Sequence, residues 1–474
     1  MNKSRIIGFS LGPIGSAFIG FISLPVLAWL FSAEDIGRIT MLQIFSSLSV
    51  IVFSLGLDLA FVREYHESND KSRLLRSSFI PGFLFIICIL AVIIISSPFL
   101  LSELFFSIKS AQYSMLIILC FVAVFFLRFF SLILRVQERG VAYSMSQIFP
   151  RFVFIFLVLF CFLFKKDPIF KDLLMAQTTS VCLAVLIFSW VIRRDLCAAV
   201  KVKLDRCILV KLLKFGLPLV IAGLASWGMT AMDKLFLRSI VNLSELGVYS
   251  IAVSVAAAVG VVTSIFNTVW APIAFKWTAE GGWAKKIDAV SEHMAAVVCL
   301  LFVASGLLSW FIPFFLPDNY TQIKYIVTAC MAAPLLYALS ESTGIGLSIN
   351  RKTYLSMLAS CLAIAFSILT NYLLVPKYEA AGAAVATAIT FWFFFFLRTE
   401  LSCLAWRRFK KYKIYTGSML STTTAVVVAI WGEYLGALSL LIWLVVGLLG
   451  CIIYRNSLLL VPGLCKSFFM AKNI

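Results

Sequence analysis

Long apolar runs separated by short polar segments extend along nearly the whole chain. About 20 apolar residues in a helix are enough to cross the ~30 Å hydrocarbon core of a bilayer. The runs are continuous, whereas the strands of an outer-membrane barrel alternate apolar and polar residues, so a barrel is excluded. We therefore predict an all-α polytopic membrane protein with about 14 transmembrane helices, at residues 6–31, 39–61, 79–100, 113–134, 145–164, 173–192, 215–238, 247–272, 291–315, 324–348, 354–375, 384–405, 414–431 and 436–454.

Composition narrows the class of protein further. Of the 474 residues, 62% are apolar and 13% are charged, against ~45–50% and ~25% in soluble domains. A water-soluble globular protein is excluded, and too little chain remains for a large extramembrane domain. The first apolar run, 6–31, is too long for the core of a signal peptide, so we expect it to remain as the first span.

The net charge of +18 comes from 40 basic and 22 acidic residues. With the N-terminus inside, the cytoplasmic segments hold about 30 of the 40 basic residues and the outer segments about 8. Because cytoplasmic loops collect Lys and Arg, this predicts that both termini are cytoplasmic. The basic residues lie in loops rather than in a basic domain, so we expect membrane lipids and not nucleic acid as partners.

Cysteine and histidine residues show no pattern typical of a reactive site. The twelve cysteines are scattered without a CxxC pair, mostly within apolar runs, and the chain has only two histidines. We expect no disulfide framework, no metal site and no cofactor.

A weak internal repeat has a constant period. Gly37 and Gly247 follow spans 1 and 7 and are 210 residues apart, while Arg139 and Arg351 follow spans 4 and 10 and are 212 apart. Two six-helix repeats of the same orientation are a plan that many alternating-access transporters share. The predicted organisation is an N-lobe with helices 1–6 (1–200), a C-lobe with helices 7–12 (201–410), and helices 13–14 with a cytoplasmic tail (411–474).

Glycine and proline interrupt spans 1 and 7, which are partners in the repeat. Span 1 contains Gly12-Pro13 and Pro25, and span 7 contains Gly216 and Pro218. Interrupted helices at matched positions are typical of the substrate-lining or moving helices of transporters.

Basic residues within the spans are candidates for binding an anionic substrate. Charges within the membrane cost ~2.5–3.5 kcal/mol on insertion scales and usually face a cavity or one another. Arg128 and Arg151 lie at similar depth in a predicted hairpin and would suit a phosphate or diphosphate, which Arg binds bidentately. Lys234 and Arg238 are candidate anion contacts near the outer end of span 7. Snorkelling to the headgroups, or a structural ion pair, explains the same positions.

Carboxylates within the spans are candidates for coupling transport to an ion gradient. Asp58 lies in span 2, Asp233 in span 7 and Glu341 in span 10. An embedded carboxylate binds H⁺ or Na⁺, but a structural pair with Arg explains it equally well. Arg398, which follows a run of aromatic residues, is expected to snorkel to the interface.

Three segments resemble the Wzx-type polysaccharide flippases, or O-antigen transporters, of the multidrug/oligosaccharidyl-lipid/polysaccharide (MOP) exporter superfamily. They are Pro25 with Leu27-Ala28-Trp29-Leu30 and Glu34-Asp35-Ile36-Gly37, Gly216-Leu217-Pro218-Leu219 with Asp233-Lys234 and Glu245-Leu246-Gly247-Val248-Tyr249, and Asn371-Tyr372-Leu373-Leu374-Val375-Pro376-Lys377-Tyr378 with Ala381-Gly382-Ala383-Ala384.

The resemblance implies translocation of undecaprenyl-diphosphate-linked oligosaccharide from the cytoplasmic to the periplasmic leaflet of the bacterial inner membrane, without catalysis. The family's proposed path is a cationic central cavity. It would fit Arg128, Arg151 and Lys234 as diphosphate contacts. A polysaccharide polymerase and a chain-length regulator are partners that such a role implies.

Three other functions remain open. A lipid II flippase has similar substrate chemistry, and fourteen spans would fit it as well. A multidrug exporter of the same superfamily usually has twelve spans and a carboxylate-rich cavity, whereas cations predominate within these spans. A membrane polysaccharide polymerase, an enzyme, usually carries a long periplasmic loop with catalytic Arg or His, whereas every outer loop predicted here is short.

Overall fold

The computed structural model describes residues 3–165, 168–280, 283–455 and 457, and all regular secondary structure in these ranges is helical. A bilayer imposes this on a chain of long apolar runs, because backbone amides and carbonyls in hydrocarbon must find partners within their own segment. The predicted all-α fold class is therefore confirmed.

The chain divides into two compact units, residues 1–228 and 229–474. The predicted lobe boundary at residues 200 and 201 follows the sequence repeat and stays a prediction. The first unit contains α1 (Lys3–Leu30), α2 (Ala33–Phe53), α3 (Leu57–Glu64), α4 (Lys71–Ser96), α5 (Leu100–Phe106), α6 (Ala111–Val136), α7 (Gly140–Phe164), α8 (Phe170–Val191), α9 (Arg193–Lys201) and most of α10 (Arg206–Phe236).

The second unit begins within α10, which continues into a π-helix at Leu237–Val241. Two 3₁₀ segments, Ser309–Phe315 and Asp318–Tyr320, precede its most buried helix. Its α-helices are α11 (Leu243–Glu280), α12 (Trp283–Leu308), α13 (Ile323–Thr343), α14 (Ile345–Ile349), α15 (Thr353–Ala405), α16 (Tyr412–Leu435) and α17 (Leu438–Ile453).

Each of the fourteen predicted spans falls on these helical segments. Among the described residues, eleven helices are long and apolar enough to cross a bilayer, and two shorter apolar helices lie at 14–30 and Leu438–Ile453. One of the eleven, α15, holds two predicted spans, because its backbone leaves the helical conformation at Glu379 (φ 50°, ψ −125°). Pro376, just before this break, lacks an amide hydrogen and weakens the helix there.

The connection predicted at 193–214 is more ordered than its polar composition indicates. It contains α9, which follows α8 after a single residue, and the start of α10. Ala199 of α9 is buried, and Leu196 packs against the same apolar cluster. Apolar residues at three-residue spacing give this short segment one face that packs onto the unit.

Each unit has a central helix whose side chains pack on several neighbours. In the first unit, α6 contacts α2, α7 and α8, and Phe125, Phe129 and Phe79 form one group of ring contacts. In the second unit, α13 packs against α11, α12, α15 and α16, and most of its side chains are buried. Small and apolar residues dominate α13, which allows neighbouring helices to approach closely.

Within the second unit, a close glycine–tryptophan contact holds the last helix, α17, against α12. A Cβ atom at Gly306 on α12 would overlap the indole ring of Trp443 on α17. Trp443 is one of the largest fully buried side chains. We expect Gly306→Ala to destabilise the protein by about 1–3 kcal/mol through overpacking.

Thermal unfolding of the detergent-purified protein tests this expectation. Gly260→Ala is the matched control, because its new Cβ would lie 3.8 Å from Pro334, an ordinary contact distance. A lower Tm for Gly306→Ala than for Gly260→Ala is expected. Equal Tm values for the two variants would contradict the proposed close packing.

Candidate functional site

The second predicted span is broken between α2 and α3, and this break positions Asp58. Leu55 and Gly56 both have positive φ values, 53° and 69°. A Cβ atom at Gly56 would overlap the backbone of Gly216 on α10, so the close approach of these two segments requires glycine. The chain then re-enters a helix at Leu57, with Asp58 in its first turn. A carboxylate in the first turn of a helix is favoured by the helix dipole.

Asp58 and Arg128 form an ion pair between α3 and α6. The Nε and Nη2 atoms of Arg128 donate to Oδ2 of Asp58 at 2.9 and 2.8 Å. The hydroxyl of Ser54 donates to the other carboxylate oxygen at 3.0 Å. The Asp58 side chain is only 6% exposed, whereas that of Arg128 is 37% exposed. The pair therefore leaves part of the arginine side chain exposed while its counter-charge stays buried.

Arg151 lies on α7, directly after Pro150, and reaches the neighbouring helix α1. Its Nη1 donates to the backbone carbonyl of Ser16 at 2.5 Å, and Gly20 leaves room for the guanidinium. The Arg151 side chain is otherwise exposed. Among the described residues, no recorded contact joins Arg151 to the Asp58–Arg128 pair.

Asp233 on α10 is buried and accepts hydrogen bonds from uncharged donors. The hydroxyls of Tyr249 on α11 and Thr387 on α15 both donate to Oδ2, the latter at 3.2 Å. The backbone amide of Lys234 donates to Oδ1 at 2.9 Å. Hydroxyl groups from two neighbouring helices and a backbone amide of α10 itself therefore converge on one carboxylate.

The two basic candidates of span 7 are placed differently from one another. The Nζ atom of Lys234 donates to the carbonyl of Thr230, one turn earlier, at 2.8 Å. Arg238 lies within the π-helix Leu237–Val241 and is partly buried. Short π-helical turns interrupt the regular bonding of a helix and are frequent at functional sites.

Glu341 on α13 pairs with Arg398 on α15. Nη1 of Arg398 donates to Oε1 of Glu341 at 2.5 Å and to the hydroxyl of Ser340 at 3.2 Å. The Arg398 guanidinium also lies 5.8 Å from the ring centre of Phe394. Arg398 is buried, so the expectation that it snorkels to the interface is wrong. The carboxylate available within the unit holds the side chain inward.

Three hydroxyl-bearing members of these clusters, Ser54, Tyr249 and Thr387, are not among the residues that the sequence indicates, and Arg398 is indicated only as an interfacial residue. Arg398 could have been inferred from the need of an embedded Glu341 for a cation. The hydroxyl groups give no such signal, because Ser, Thr and Tyr also occur in spans for packing and for bonds to their own helix. Tyr249 lies in one of the segments that resemble the flippases, but the sequence does not indicate that it bonds Asp233.

These features define the class of protein as a polytopic helical membrane protein with charge clusters held within its spans. Its fold is that of MOP-superfamily transporters. The structure of the lipid II flippase MurJ in an inward closed conformation has a TM-score of 0.69 at 16% identity, covering 95% of this chain and 99% of that one. An outward-facing multidrug resistance MATE transporter has a TM-score of 0.52 at 14% identity, covering 84% and 95%.

The chain belongs to the family described as polysaccharide biosynthesis protein, whose sequence model matches residues 5–277. It is also 23% identical over 350 residues to Lsg locus putative protein 1 of Haemophilus influenzae, covering 70% of this chain and 82% of that protein. Both of these solved structures are described as transport proteins, one a lipid flippase and the other a multidrug transporter.

Substitutions in the Asp58–Arg128 pair should change the thermal stability of the protein. Arg128→Ala leaves a buried carboxylate without its cation, which costs about 3–5 kcal/mol. Asp58→Asn removes the uncompensated charge, so the double variant Asp58→Asn/Arg128→Ala should be more stable than Arg128→Ala alone. Tm measurements on the four proteins of this cycle check the expectation. Purely additive losses would show that the two side chains do not stabilise each other.

Proposed function

We propose that this protein moves undecaprenyl-diphosphate-linked oligosaccharide repeat units, of O-antigen or another surface polysaccharide, from the cytoplasmic to the periplasmic leaflet of the bacterial inner membrane. The proposed transport is by alternating access, with both termini in the cytoplasm. The observation that carries the proposal is the partly exposed side chain of Arg128 beside a buried Asp58. Membership of the polysaccharide biosynthesis family supports it.

Arg128 has the chemistry to bind the diphosphate of such a lipid. Two of its nitrogens donate hydrogen bonds to Asp58, and these bonds fix the plane of the guanidinium. The remaining nitrogen, Nη1, is left to donate to phosphate oxygens, with which Arg forms strong charge-assisted bonds. Because Asp58 neutralises the cation between transport cycles, the empty site does not bury an uncompensated charge.

The other basic candidates would act at further points of the path. Arg151 is exposed and already donates one bond to a carbonyl, so its remaining donors suit a phosphate or sugar oxygen. In the second unit, Lys234 and Arg238 are proposed contacts for the same anion. A polysaccharide polymerase and a chain-length regulator would act on the translocated units and are proposed partners.

Asp233 is the proposed coupling carboxylate, in preference to Asp58 and Glu341. Protonating Asp58 or Glu341 would leave a paired arginine without its counter-charge, which is costly in a buried site. The recorded hydrogen-bond donors to Asp233 are neutral, namely two hydroxyls and one amide. Binding of H⁺ or Na⁺ to Asp233 therefore leaves no arginine without its counter-charge.

Deletion of the gene from its host is the first test. We expect lipid-linked oligosaccharide to accumulate in the cytoplasmic leaflet and surface polysaccharide to be lost. Normal polysaccharide without accumulation, in a host that lacks a redundant flippase, would overturn the proposal in favour of drug export. Accumulation of lipid II would indicate a lipid II flippase, and a surface coat of single repeat units would indicate a polymerase.

Complementation with Arg128→Lys tests the proposed phosphate contact separately from stability. Lysine keeps a cation for Asp58 but lacks the planar fork of arginine. We expect surface polysaccharide to fall roughly tenfold, because one charge-assisted hydrogen bond contributes ~1.5–3 kcal/mol. Arg135→Lys, on the same helix and exposed, is the matched control and should restore polysaccharide fully. Equal complementation by both variants, at equal membrane abundance, would remove Arg128 from the path.

Asp233→Asn tests the coupling proposal. Asparagine keeps nearly the same shape but cannot change its charge, so we expect transport to lose its dependence on the ion gradient. The measurement is surface polysaccharide in complemented cells with and without a protonophore or a Na⁺ ionophore. Gradient-dependent transport at the wild-type level in the variant would contradict the assignment of Asp233.

A further inference from the structure

A basic cavity lies at the end of the first unit, where α8 meets α9. Its volume is about 360 Å³, and it is lined by Arg139, Trp190, Val191, Arg193, Arg194 and Asp195. This volume is within the range of ~300–1,000 Å³ that small-molecule sites occupy. The Lys and Arg distribution predicts that this end of the unit is cytoplasmic.

The charges of the cavity suit an anion. Three arginines and one aspartate contribute to its lining. One oxygen of Asp195 accepts a bond of 3.0 Å from the side-chain amide of Gln137, which partly satisfies that carboxylate. No salt bridge to a described carboxylate is recorded for Arg139 or Arg194. Their guanidinium groups therefore keep donors for a phosphate.

Trp190, the aromatic residue that lines the cavity, is placed as tryptophans at a membrane interface are. The guanidinium of Arg193 lies 4.2 Å from the ring centre of Trp190, a cation–π contact that orients both side chains. Trp190 is 69% exposed. Exposed tryptophan beside arginine at the end of a span is typical of the headgroup region of a bilayer.

Apolar surface leads from the cavity toward the predicted membrane interior along both adjacent helices. On α8, exposed Leu186 and Ile187 lie one turn before Trp190. On α7, exposed Val141 and Met145 follow Arg139. A ligand with its phosphate in the cavity would therefore have its hydrocarbon chains along α7 and α8, which pack against each other.

The C-terminal end of α9 is tied to α4. At the far end of α9, Nη1 of Arg76 on α4 donates to the carbonyls of Ala199 and Val200. Asp205, just beyond α9, accepts from its own following amides and receives a weak contact from Arg73 at 3.8 Å. A cation at the C-terminus of a helix satisfies its free carbonyls and favours the helix.

We infer that this cavity binds the phosphate headgroup of an anionic glycerophospholipid of the surrounding membrane, with Arg139 and Arg194 as the phosphate ligands. Trp190 and the exposed faces of α7 and α8 contact the glycerol and the acyl chains. This site is separate from the Asp58–Arg128 pair and does not depend on the proposed function.

The test compares lipid binding by the full-length, detergent-purified protein and two double variants. Native mass spectrometry with dioleoylphosphatidylglycerol and dioleoylphosphatidylcholine gives the apparent Kd of each. We expect Arg139→Gln/Arg194→Gln to weaken phosphatidylglycerol binding at least about tenfold, because charge-assisted bonds are lost. Lys201→Gln/Lys203→Gln removes the same charge from exposed positions outside the cavity and should change the Kd less than about twofold.

Three results would overturn the inference. Equal weakening by both double variants would mean attraction to the overall basic surface. Equal affinity of the wild-type protein for the two lipids would mean that the anionic headgroup is not recognised. Binding of free inorganic phosphate or pyrophosphate that prevents lipid binding at the same concentration would identify a soluble anion as the ligand. Circular dichroism and Tm confirm that each variant is folded.

Discussion

The ion pair between Asp58 and Arg128 shows how the fold accommodates charge within an apolar environment. A carboxylate in the membrane interior is costly, and a neighbouring arginine with two aligned donors reduces that cost. The second span is broken where the two side chains meet. Its helix is interrupted by two residues of positive φ, and the next helix begins at Leu57, one residue before Asp58. The close approach of Gly56 and Gly216 makes this geometry possible. Backbone conformation, helix packing and charge placement therefore depend on one another at this site.

The second unit meets the same constraint with a different arrangement. Glu341 pairs with Arg398, and the hydroxyl of Ser340 accepts a further bond from that arginine, whereas the hydroxyl of Ser54 donates to the carboxylate of Asp58. In the predicted repeat, a shift of 212 residues places Arg128 at Ser340, next to Glu341, but places Asp58 at Trp270 and not at Arg398. The two units therefore compensate an embedded charge with pairs at different helix positions.

Much of the fold could be predicted because hydrophobicity alone determines where a chain crosses a bilayer. All fourteen spans coincide with helical segments, and the gap predicted between residues 375 and 384 contains Glu379, where the backbone of α15 leaves the helical conformation. The rotation of each helix about its axis was not predictable, since nearly all positions in a span are apolar. This is why Arg398 was assigned to the interface, and why the hydroxyl partners of Asp233 were missed. The acidic and basic candidates were identified because charge within a span is rare.

The Asp58–Arg128 and Glu341–Arg398 pairs differ in which partner is the more exposed. This difference indicates which pair is better suited to bind an anion. In the first unit, the arginine is the more exposed partner, whereas in the second the Arg398 side chain is 9% exposed and that of Glu341 is 23% exposed. A diphosphate approaching Glu341 would meet a carboxylate and be repelled, while one approaching Arg128 would meet donors. Because the two pairs have the same chemistry, the difference lies only in which partner faces outward. That difference favours the first unit for the initial capture of an anionic lipid substrate.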